Sequence, residues 1–163
     1  WDVNTAETGV VVNGDDVTAL GLFVEHYQRH NVVWNGERGR TVFFQNELPY
    51  DPPAQDAYRR DGVDGWAAYK VADGVATHEV WGAASYVYFD VDPSIHAARG
   101  FEVPVAPGVR MHHVLTVDLG AGTIDRVVND VGDPVTPGAV GVPSTVVRYP
   151  DAAKSSSYGP PPE

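Results

Sequence analysis

Valine dominates the apolar residues of this chain: there are 28 valines, against seven leucines and isoleucines together. A β-branched side chain is stiff at χ1 and packs well on a pleated surface, whereas helices favour leucine, alanine and long straight side chains. The 17 glycines and 13 prolines make up about 18 % of the 163 residues, above a usual ~12 %. They gather at corners such as Asn13-Gly14-Asp15, Asn35-Gly36, Asp61-Gly62, Asp64-Gly65, Asp73-Gly74 and Gly120-Ala121-Gly122. Asn-Gly and Asp-Gly steps supply the positive φ that tight turns need. No long window carries a clean 3.6-residue apolar period, and 56–60 has room for a single helical turn at most. The fold class expected is all-β.

Strands are predicted at 9–12, 17–25, 31–34, 41–47, 66–71, 77–81, 85–91, 100–103, 109–118, 123–129 and 144–149. Hairpin-built sandwiches and barrels alternate strictly between inward and outward residues, whereas a parallel solenoid repeats side-chain directions from one coil to the next. An offset of 22 residues lays 17–25 over 39–47, with Leu20 over Val42, Leu22 over Phe44 and Glu25 over Glu47. The runs at 19–24 and 41–44 lack strict alternation, as a strand buried in a coil can. Residues 1–150 are expected to form one domain. The Ser/Pro-rich tail 151–163 is expected to be disordered. The chain begins at Trp1 in polar sequence, and we read it as part of a longer polypeptide.

A formal net charge of −11 argues against a phosphate-tracking nucleic-acid binder and against an anionic membrane surface as partner. The absence of cysteine removes disulfides, zinc–thiolate sites and thiol nucleophiles. No metal site or cofactor is expected. His112 and His113 are strand neighbours that point to opposite faces, His78 stands alone beside Glu79, and no metal-binding, serine-hydrolase or nucleotide-binding motif is present.

The unusual polar cluster is Phe43-Phe44-Gln45-Asn46-Glu47-Leu48-Pro49-Tyr50-Asp51-Pro52-Pro53. It places a carboxylate at the end of an aromatic strand, before a rigid loop. A carboxyl group desolvated there would hold its proton more tightly, as a general acid for a glycosidic oxygen must. Glu25 occupies the equivalent strand end one coil earlier, and two carboxylates are the minimum equipment of most glycosidases. Sugar rings pack their C–H faces on aromatic rings, so Tyr27, Trp34, Tyr50, Trp66, Tyr69 and Trp81 are candidates, although each alone more often sits in a core. Trp34, next to the Asn35-Gly36 corner, is the best placed for exposure. Tyr50, Trp34, Gln45 and Tyr27 are the expected substrate-binding residues.

Several strings together resemble one family: Gly14 through Tyr27, Val33 through Thr41, Phe44 through Pro53, Tyr69-Lys70-Val71-Ala72-Asp73, Thr77 through Gly82, and Pro107 through His113. They are similar to the C-terminal part of glycoside hydrolase family 55, the bacterial exo-β-1,3-glucanases or laminarinases. The resemblance runs from about Gly9 to Tyr149, and Gln45-Asn46-Glu47-Leu48-Pro49-Tyr50-Asp51-Pro52-Pro53 is its most specific string. It implies a right-handed parallel β-helix that forms the C-terminal half of a tandem pair. It also implies a secreted enzyme that releases glucose from β-1,3-glucan with inversion, in a cleft shared with the N-terminal β-helix half of the same protein. By motif position Glu47 corresponds to the general acid, Glu25 to a second essential carboxylate and Tyr50 to a tyrosine beside the acid. The N-terminal half, which supplies part of that cleft, lies outside this chain. Two other readings stay open: a carbohydrate-binding module that does not cleave, and a purely structural domain. The first would be marked by Glu47 pointing into solvent away from any cleft, and the second by large exposed apolar patches on one flank.

Overall fold

The computed structural model describes residues 1–150 and the backbone of Ser155–Ser157. The rest of the tail expected to be disordered lies outside the described residues. In chain order the strands are β1 (Val10–Val12), β2 (Thr18–Phe23), β3 (Val32–Trp34), β4 (Gly39–Glu47), β5 (Arg59–Arg60), β6 (Val63–Asp64), β7 (Tyr69–Val71), β8 (Thr77–Tyr88), β9 (His96–Ala97), β10 (Phe101–Glu102), β11 (Gly108–Ala121), β12 (Thr123–Ile124), β13 (Ser144–Tyr149) and β14 (Ser155–Ser157). The described helical turns are two 3₁₀ segments, Gln55–Ala57 and Pro137–Ala139. The protein is all-β.

The chain passes alternately through two sheets. One has the order β1-β3-β7-β10, and the other runs β2-β4-β8-β11 before ending in β13 and β14. Every pairing within the first four strands of each sheet is parallel. Antiparallel β13 and β14 close the far edge of the longer sheet. The 22-residue offset read from the sequence is the register between β2 and β4: Leu20 pairs with Val42 and Leu22 with Phe44. Corners stack as well. Asn35 Nδ2 donates to Asn13 Oδ1 at 2.8 Å, and a Cβ on Gly36 would lie 1.9 Å from the carbonyl oxygen of Gly14, so glycine alone fits where the corners cross. The spans predicted at 77–81 and 85–91 are one strand, β8. Its bend at Gly82 keeps parallel pairing on both sides.

That bend recurs. Gly21, Phe43, Gly82 and His113 all adopt left-handed backbone, with φ of 62°, 63°, 64° and 54°, and each is skipped in the ladder between the same two rungs. Four stacked left-handed residues therefore crease the long sheet along one line without shifting its register there. They also explain the broken alternation of 41–44: Val42 and Phe43 both face outward before Phe44 turns in.

The core fills the space between the two sheets. Val32, Trp34, Tyr69, Val71 and Phe101 face Phe44, Val80, Val109, Met111 and Val114, all buried. Trp34 corrects the sequence expectation of an exposed stacking residue, for it is wholly buried. It is the last residue of β3, and strand alternation turns its side chain inward; only Asn35 reaches the solvent side of the corner. Its ring lies against Tyr69 and His78 (centroids 6.3 and 4.8 Å), and a Cβ on Gly39 would come within 2.1 Å of its Nε1. Tyr69 is buried with it.

Candidate active site

Glu47 ends β4. Phe44, Asn46 and Leu48 are buried, so alternation sends Gln45 and Glu47 to the outer face. Beyond β2 the ladder continues: the Val24 N–H donates to the Gln45 carbonyl at 3.2 Å and the His26 N–H to the Glu47 carbonyl at 2.9 Å. Val24 is buried and Glu25 exposed, so Glu25 stands beside Glu47 on the neighbouring strand and the same face. Strands in one sheet run about 4.8 Å apart. Beneath them, the buried Asn46 amide donates to the Val24 carbonyl at 2.8 Å and to the Glu47 carbonyl at 3.1 Å, while accepting from Ser85 Oγ at 3.0 Å. One side chain thus fastens the strand ends that carry both carboxylates.

The loop after β4 folds back over the acid. Leu48 and Pro49 are buried, and the Tyr50 hydroxyl donates to Glu47 Oε2. His26 Nε2 lies 3.2 Å from the same oxygen, and the His26 ring packs on Tyr50 at 4.5 Å. Tyr88 meets the Tyr50 ring edge-on at 5.4 Å. The hydrogen bond to Glu47, then burial, then the charges of Glu47 and Glu25 push the Tyr50 hydroxyl up to about 12. It therefore remains a neutral donor at any ordinary working pH. The Glu47 side chain keeps 26 % of its surface exposed. An open cleft of about 300 Å³ lies alongside, lined by Trp1, His26, Gln28, Tyr50, Asp51 and the 3–6 segment.

Of the expected site residues, the structure brings together Glu47, Glu25 and Tyr50. Gln45 shares their face two residues from Glu47, where it lines a second hollow of about 220 Å³ with Phe43, Gly82, Ala84, Tyr86 and Leu115. Tyr27 packs elsewhere: it is half-buried against the core, with its ring over Gly9. Trp34 is in the core. Trp66 lies beneath the guanidinium groups of Arg29 and Arg60. Trp81 is exposed, but one of its faces stacks on His112 at 3.8 Å. The sequence reading overlooked His26, Tyr86 and Tyr88. Tyr86 pairs with Glu47 across the ladder. The alternation of 84–88 carried the tyrosines' signal, and the position of His26 directly after Glu25 carried its own. Among the described residues no cluster of three His, Asp or Glu side chains is placed to hold a metal ion.

Two outward carboxylates side by side at neighbouring strand ends, one held by the Tyr50 hydroxyl and the His26 ring beside an open cleft, form an arrangement suited to acid-assisted cleavage of an acetal. Residues 1–47 match the family model described as the LAM55 pectate lyase-like domain. An exo-beta-1,3-glucanase of Streptomyces sp. (strain SirexAA-E / ActE) is 51 % identical over 151 residues, which are 92 % of this chain and 25 % of that enzyme. The solved structure of sacteLam55A from Streptomyces sp. SirexAA-E superposes with a TM-score of 0.90 at 50 % identity, over 92 % of this chain and 27 % of that one. A variant of sacteLam55A with one glutamate replaced by alanine, in complex with glucose, superposes with the same TM-score at 49 % identity. The chain spans about a quarter of the length of these relatives.

Proposed function

The chain belongs to glycoside hydrolase family 55, and from that premise we propose that it carries the catalytic acid of an exo-acting, inverting β-1,3-glucanase. Glu47 is the acid. It delivers its proton to the glycosidic oxygen as the C1–O bond breaks, while a water attacks C1 from the opposite face and loses a proton. Glu25 is the second carboxylate, which supports that water's proton loss or holds the charge of the site. Tyr50 fixes Glu47, and Gln45 contacts the sugar. The observation that carries this reading is the clamped carboxyl of Glu47, held by His26 and Tyr50, which line the cleft, with Glu25 beside it. A binding-only module is disfavoured, because its mark was a Glu47 turned away from any cleft.

We read the parallel winding as a right-handed β-helix, residues 1–150 as its domain, and that domain as the C-terminal half of a tandem pair. The outer face of the long sheet supports this. Leu20, Phe23 and Phe43 are 74 %, 56 % and 51 % exposed, and Val42 and Trp81 lie in the same band. An apolar band of this kind calls for cover, and the N-terminal half of the longer polypeptide supplies it. The band is also the mark set for a purely structural domain, so the enzyme reading rests on the Glu47, Glu25 and Tyr50 arrangement and not on the band. Its substrate, a glucan polymer, is met outside the cell, and we place the enzyme there.

The test is to digest laminarin with the polypeptide that carries this chain and follow the first product by proton NMR before mutarotation. The reading expects α-glucose, the inverted anomer. Oligosaccharides as first products would remove the exo assignment, and β-glucose the inverting one.

A further inference from the structure

We propose that His26 is a positioning residue for Glu47. Together with Tyr50 it occupies Oε2, so that Oε1 is the oxygen that carries the transferable proton. This rests on Glu47 being the acid.

Three contacts hold the imidazole where it is. The His26 N–H donates to the Glu47 carbonyl at 2.9 Å, the ring packs on Tyr50 at 4.5 Å, and Nε2 lies 3.2 Å from Glu47 Oε2. The backbone at His26 is left-handed, with φ of 63°. That conformation disfavours a side chain with a Cβ, and such strain persists where the surroundings demand it, commonly at functional sites. Here it turns the ring from the ladder back over Tyr50.

A carboxyl oxygen has two lone-pair sites. On Oε2 one accepts from the Tyr50 hydroxyl, and the other faces His26 Nε2. With Nε2 protonated, both sites are filled by donors. Among the described residues no hydrogen bond reaches Oε1, so the acid's own proton belongs there. The opposite tautomer would instead draw the Glu47 proton toward the imidazole and away from a substrate. His26 thus decides which oxygen is the acid, and does so by hydrogen bonding.

Two variants separate this role from a packing role. His26→Phe keeps a ring on Tyr50 but loses the donor, and His26→Gln restores a neutral N–H donor. In laminarin hydrolysis by the polypeptide carrying the chain, His26→Phe is expected to lower kcat about 10- to 100-fold with KM unchanged, the scale of a misplaced catalytic group. His26→Gln is expected to recover most of that loss. Wild-type kcat in His26→Phe, or equal loss in both variants, overturns the proposal. Wild-type turnover in Glu47→Gln, assayed alongside, removes the acid and the proposal with it. A second readout works on this chain with no substrate: imidazole ¹⁵N spectra of His26. The Nε2–H tautomer is expected, and its preference should vanish in Glu47→Ala. A dominant Nδ1–H tautomer, or a spectrum indifferent to Glu47→Ala, also overturns it.

Discussion

Tyr50 and Trp34 show how differently two aromatic residues of one chain are used. Tyr50 donates to the Glu47 carboxyl, and a hydrogen bond is worth about 0.5–1.5 kcal/mol net, so Tyr50→Phe should lower kcat by up to roughly tenfold while leaving KM nearly unchanged. Steady-state kinetics on laminarin checks this, and a pure KM effect would make Tyr50 a binding residue instead. Trp34→Ala should behave as a core deletion, costing about 3–5 kcal/mol in urea unfolding. The carboxylate positions were legible from sequence because each ends a run of strand-forming residues before a turn. The direction of Trp34 was not, although the strand was expected to end there: Val32, Val33 and Trp34 are all apolar, so a strand this short carries no alternation that marks its inward face. His26 was legible only as the neighbour of Glu25: its left-handed backbone, which turns the ring over Tyr50, leaves no mark in composition.

At the scale of the element, the stacked corners and the shared crease set the site. The 22-residue offset could be read because Leu20, Leu22 and Glu25 fall over Val42, Phe44 and Glu47, and the Asn-Gly corners at 13–14 and 35–36 stand at the same spacing. The next coil could not be read the same way. Val42 pairs with Trp81, an offset of 39, because the β5–β6 hairpin and the 3₁₀ turn before it are inserted between them. The crease at Phe43 was equally invisible, since phenylalanine does not advertise a left-handed backbone. Asn46 joins the strand ends beneath Glu25 and Glu47. Asn46→Leu leaves the Val24 carbonyl and the Ser85 hydroxyl without their partner and should cost about 1–3 kcal/mol of stability. Urea unfolding of Asn46→Leu beside Ser85→Ala reads the effect, and an unchanged midpoint in Asn46→Leu would mean that the tie carries no strain-bearing role.

Across the whole molecule, the buried polar groups set the response to acid. Burial lowers His78 to about 4, and its Nε2 accepts from or donates to the Tyr69 hydroxyl at 2.9 Å inside the core. His30 is shifted in the same direction, first by burial. The unfolded chain takes up these protons below about pH 6.5 while the folded chain refuses them, so stability falls as pH drops from about 6.5 toward 4, by up to roughly 3 kcal/mol for His78. Burial alone would raise Glu102, but hydrogen bonds and charges from Lys70 and Arg60 outweigh it and hold the group at about 2. Its contribution is present above about pH 4.5 and is lost as pH falls toward 2. Urea midpoints measured between pH 7 and pH 3 should therefore decline throughout, and His78→Gln should flatten the first part of the slope. A midpoint independent of pH between 6.5 and 4 would contradict the buried neutral histidines.

The central claim is that Glu47 is the proton donor of a glucan-cleaving site, and glucose release from laminarin tests it most directly. The polypeptide carrying this chain is compared with its Glu47→Gln form under identical conditions, with folding verified for both. Release by the wild type that falls by several orders of magnitude in Glu47→Gln is the predicted result. Release that survives the substitution at the wild-type rate would contradict the assignment and return Glu47 to an ordinary place at the end of its strand.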